Sequence, residues 1–78
     1  MAHRFQEDLQ KELNDRIPKG PRGSRQRELR MRWWFFRSQR YSFDESIAKA
    51  VEGIRQTDPS FLPQILPPPT PAEAAVSR

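Results

Sequence analysis

Glu28-Leu29-Arg30-Met31-Arg32-Trp33-Trp34-Phe35-Phe36 can be read with either of two periods, and the choice decides the fold. As a strand, Leu29, Met31, Trp33 and Phe35 alternate with Arg30, Arg32, Trp34 and Phe36, and aromatic residues favour strands. As a helix, Leu29, Trp33 and Phe36 share one face, Met31 and Phe35 point almost oppositely, and Trp34 lies between. Either geometry leaves some aromatic surface exposed. A lone strand here has no evident pairing partner, and very small sheets are marginal in water. Ser24 is a plausible N-cap, and Arg25, Gln26, Arg27, Glu28, Leu29 and Arg30 are good helix formers. The reading adopted is a helix near residues 25–38.

Upstream, Phe5, Leu9, Leu13 and Ile17 recur every four residues, while Glu7, Asp8, Lys11, Glu12 and Asp15 lie mostly elsewhere on the wheel. One apolar stripe of this kind predicts an amphipathic helix near residues 2–16. Pro18 disfavours helical geometry at Ile17, and Pro18-Lys19-Gly20-Pro21-Arg22-Gly23 is punctuation by composition, so a Pro/Gly linker is placed at residues 17–24. Downstream, Ser42 and Glu45 have the spacing of a capping box, and Phe43, Ile47, Ala50, Val51 and Ile54 fall in one stripe. They predict a third helix near residues 43–56. Asp58-Pro59 resembles one more start, predicting a short helical turn within residues 59–66 that Pro63 keeps short. From Pro67 onward, consecutive prolines and small residues have almost nothing to bury, which predicts a disordered Pro-rich C-terminal tail over residues 67–78. The fold class expected is all-α: a small three-helix unit over residues 1–66, the linker inside it, and the tail beyond.

Charge is concentrated where the helix-or-strand question arises. Residues 19–40 carry eight of the fourteen cations against a single acid, Glu28, and so hold +7 of a chain whose net charge is +4. A localised positive field, rather than a generally basic chain, is the property to explain. Seven of those eight cations are arginine, whose planar fork pairs bidentately with phosphate and stacks on bases.

Several function classes are disfavoured. Seventy-eight residues make at most one domain, too small for a large enzyme cleft. The absence of cysteine excludes a disulfide framework and a thiolate metal site. His3 is the one histidine, without a second imidazole or a thiolate to complete a metal set, so no metal or cofactor is expected. Glu7, Asp8, Glu12 and Asp15 read as a solvated helical face, and Asp44 with Glu45 as first-turn carboxylates favoured by the helix dipole. No serine has a base in a recognisable arrangement, and catalytic residues are expected to be none. The longest apolar run, Met31 to Phe36 interrupted by Arg32, falls far short of the roughly 20 residues a membrane span requires. No secretion signal is evident, and a cytoplasmic location is expected.

The candidate binding residues are Lys19, Arg22, Arg25, Arg27, Arg30, Arg32, Trp33, Trp34, Arg37 and Arg40. Guanidinium groups suit backbone phosphates and the interleaved rings suit bases, so the leading expectation is a non-enzymatic nucleic-acid-binding or nucleoprotein-associated protein, with RNA or a single strand favoured. The alternative is a small protein-protein interaction module, an inhibitor, adaptor or assembly subunit, that docks the same segment on an acidic protein surface. An anionic membrane surface fits less well, because the arginines are not confined to one helical face. Pro68-Pro69-Thr70-Pro71 is a weak match to a polyproline ligand, since no basic residue flanks it closely.

Overall fold

The computed structural model describes residues 2–68, with side chains from Arg4 onward. Among the described residues the chain forms three helices and no strand: α1 (Ala2–Arg16), α2 (Arg25–Ser38) and α3 (Phe43–Arg55). The all-α reading of the basic-aromatic stretch is thus borne out. The expected tail falls outside the described residues except for Pro67 and Pro68, which are exposed and belong to no regular element.

Local chemistry sets the boundaries. Ser24 Oγ accepts the Arg27 N–H at 3.4 Å, which starts α2. At α3 both halves of the capping box form: Ser42 Oγ accepts the Glu45 N–H at 3.1 Å, and Glu45 Oε1 accepts the Ser42 N–H at 3.3 Å. The end of α2 is a Schellman turn. The Tyr41 N–H reaches Phe36 O at 3.4 Å, the Arg40 N–H reaches Arg37 O at 2.9 Å, and the Phe36 and Tyr41 rings meet edge-on at 6.0 Å. Arg40 therefore takes the left-handed seat, at φ 76°, that glycine usually fills.

Helix α2 is central, packing along α3 on one side and against α1 on the other. The core unites Leu9, Leu13 and Ile17 of the α1 stripe with Leu29 and Trp33 of α2, Ala50, Val51 and Ile54 of α3, and Phe61. Trp33 is 0% exposed and Leu29 likewise, whereas Met31 on the opposite face is 75% exposed and Phe35 59%. These four values are what a 3.6-residue period requires of that stretch. Phe5, Trp34, Phe43 and Ile47 pack partly buried around the core.

The helical turn expected within residues 59–66 does not form. Asp58 O accepts the Phe61 N–H at 3.0 Å to close a single turn, and residues 61–68 then run without helix. The reason is competition for backbone groups. Gln26 of α2 accepts the Gln64 N–H at 3.0 Å and donates to Gln64 O at 2.8 Å, and Arg16 exchanges bonds with the Leu66 backbone. Pro63 has no N–H to offer a helix in any case. Residues 61–66 thus form a strap that crosses the end of α1 and the start of α2.

Candidate functional site

The eight cations of residues 19–40 divide by what they touch. Arg25 and Arg32 share Glu28, each at 2.9 Å, and Arg25 also lies 3.7 Å from Asp58. Arg37 meets Glu12 at 3.1 Å. A carboxylate partner cancels the charge of a guanidinium as well as satisfying its donors. Arg32, Glu28's strongest partner, and then Arg25 lower its carboxyl below the ordinary 4.5 against the opposing effect of partial burial. Arg32 also crosses toward α3, where it fills the space a side chain at Gly53 would need.

The other five have no carboxylate partner among the described residues. Arg27 donates to Gly20 O at 3.2 Å. Arg30 donates to the Ile17 carbonyl, to Leu13 O at 3.5 Å and to Asn14 Oδ1 at 3.1 Å, and so closes the open C-terminal end of α1. Arg40 lies over the Phe5 ring, 4.1 Å from its centroid. Lys19 and Arg22 are exposed in the linker. Carbonyls and ring faces satisfy a cation without neutralising it, so the positive field survives folding. Burial, and next the positive charge of Arg27, lower the pKa of Arg30: two cations are crowded together here.

Three of these five line one groove of about 550 Å³ between α1 and α2. Gln10 and Leu13 come from α1, Lys19 from the linker, and Arg27, Arg30, Met31 and Trp34 from α2. No carboxylate among the described residues lines it. The linker is held close by Gly20, whose φ of 69° suits glycine and where a Cβ would lie only 2.9 Å from Gln26 Cβ. That tight passage positions Lys19 beside the first half of α2.

The structure thus brings together Lys19, Arg27, Arg30 and Trp34 of the sequence candidates. Arg25 and Arg32 lie instead around Glu28, and Arg37 and Arg40 serve the other end of α2 through Glu12 and Phe5. Trp33 is sealed in the core, its ring edge-on to Phe43 at 5.7 Å, which removes it from any stacking surface. Met31, Gln10 and Leu13 were not among the sequence candidates. Met31 could have been found from the i, i+4 spacing of Arg27, Met31 and Phe35 on the face opposite Leu29 and Trp33; the α1 residues carry no such local signal. Among the described residues no three His, Cys, Asp or Glu side chains gather to hold a metal ion, and no helix is long and apolar enough to cross a membrane.

Fold and site define a small three-helix chain with an acid-free basic groove. No protein-family model matches it, and no curated protein or solved structure does either.

Proposed function

We propose that this chain is a non-enzymatic nucleic-acid-binding protein, alone or within a nucleoprotein assembly, that engages RNA or another single strand through the groove between α1 and α2. The observation that carries the reading is the set of five cations, Lys19, Arg22, Arg27, Arg30 and Arg40, that have no carboxylate partner among the described residues, three of them in one groove beside Trp34. Phosphate supplies the counter-charge they lack, and a ring on the groove wall supplies a surface for bases. A single strand engaging three to five of these cations gives a slope of log affinity against log salt of about −2 to −3.5, since each contact contributes about −0.7. Titrating a labelled oligonucleotide at several salt concentrations measures that slope, and a flat response sinks the proposal.

A second reading is favoured by one specific observation. Met31 and Phe35 stand one helical turn apart on the outer face of α2 and remain 75% and 59% exposed, and methionine and aromatic side chains are among the residue types enriched in protein interfaces. On that reading the chain docks on an acidic protein surface. A complex captured from cells that persists after nuclease treatment, with a purified chain that ignores oligonucleotides, selects it.

A further inference from the structure

We infer that the groove between α1 and α2 is a seat for one unpaired nucleotide, its phosphate held by Lys19 and Arg27 and its base laid against Trp34. The inference rests on the nucleic-acid reading above and narrows it to a single site.

Electrostatics point to an anion. Arg30 is tethered by the Leu13 and Ile17 carbonyls and by Asn14 Oδ1, so its guanidinium is held in place in the lining of the groove. Arg27 stands close enough to disfavour the charged form of Arg30, and no lining carboxylate among the described residues relieves the crowding. An entering phosphate relieves it, and the exposed Lys19 and Arg27 have donors free to turn toward it.

The remainder of the lining points to what the anion carries. Trp34 and Met31 give one wall an aromatic ring and a thioether that adapts to the shape of a guest. A flat base suits that wall, and the groove's volume of about 550 Å³ falls within the range of about 300–1,000 Å³ usual for small-molecule sites. Bases inside a duplex have both faces stacked, so only an unpaired nucleotide can present one to Trp34. A purely electrostatic surface, by contrast, makes no distinction between a strand with bases and one without.

That contrast supplies the test. Binding of the full chain is compared by fluorescence anisotropy for a labelled oligothymidylate of about a dozen residues and for an abasic strand with the same phosphates. The wild-type chain is expected to prefer the base-bearing strand by about 5- to 150-fold, the effect of one stacked base. Trp34→Leu is expected to erase that preference, lowering binding of the base-bearing strand to the level of the abasic one. Met31→Glu, at a position 75% exposed, is expected to fold and to weaken both strands by placing a carboxylate in the groove. If Trp34→Leu fails to fold, Met31→Glu decides, and an unchanged affinity overturns the assignment. Salt-dependent binding with equal affinity for both strands overturns the groove assignment alone. Absence of salt-dependent binding to either strand overturns the nucleic-acid reading with it. A polyglutamate of similar length that binds as tightly as oligothymidylate gives the groove to an acidic protein and overturns the inference too.

Discussion

Ser46 sits in α3 with no exposed surface, and its hydroxyl finds no hydrogen-bond partner among the described residues; Trp33 Nε1 on the facing helix is in the same position. A buried hydroxyl without a partner loses its water bonds and regains nothing, which costs about 1–3 kcal/mol. Serine is also a poorer helix former than alanine. Ser46→Ala is therefore expected to stabilise the chain by about 1 kcal/mol, read from urea denaturation; a loss of stability instead would mean that the hydroxyl does find a partner in solution. Arg40 is the opposite case. It occupies a left-handed seat that strains any side chain, yet its guanidinium covers the Phe5 ring and ties the start of α1 to the end of α2, so the residue offsets its own backbone strain.

Among elements, the strap depends on one side chain more than on its own sequence. Gln26 is buried, and its amide accepts from Gln64 N while donating to Gln64 O and to Pro18 O at 3.0 Å. Gln26→Ala leaves those backbone groups without their partner and is expected to free the strap at a cost of about 2 kcal/mol. Amide hydrogen exchange is the measurement: Gln64 and Leu66 should exchange faster while Leu29, Trp33 and Ile54 keep their protection. Equal acceleration throughout would mean that the strap and the helices open as one. The same element shows where sequence reading ended. The three helices were legible because their signals are local: Ser24, the Ser42 and Glu45 pair, and apolar spacings within a few turns. The strap was misread as a helical start because Asp58-Pro59 is also a local signal, while its competitor, Gln26, lies 38 residues away from Gln64. The groove was half legible for a related reason. Charge density identified Lys19, Arg27 and Arg30, but whether an arginine faces a carboxylate or a carbonyl depends on tertiary neighbours such as Glu12 and Ile17.

For the molecule as a whole, Glu28 is the one acid within the basic segment, and it restrains two arginines at once. Its folded carboxyl lies below the ordinary 4.5, so its stabilising effect is fully present above that value and is lost as pH falls through the lowered one. Because the pairs are partly exposed, the effect is expected to stay below about 1 kcal/mol. Comparing wild type with Glu28→Gln isolates it. The wild-type chain should keep its advantage above 4.5 and lose it as pH falls from there through the lowered value, and the variant should show a flatter curve over that interval. The same substitution releases Arg25 and Arg32 and, on the proposed function, tightens single-strand binding at low salt; weaker binding would argue that the pairs position the groove. Finally, Trp33 and Trp34 are adjacent in the chain, yet Trp33 is sealed in the core while Trp34 is only partly buried and lines the open groove. The native emission spectrum is consequently a sum of two unlike indoles, one dry and one beside solvent. A change confined to the solvent-side component reports an event at the surface, whereas a change in both reports loss of the fold, so the protein carries its own internal reference dye.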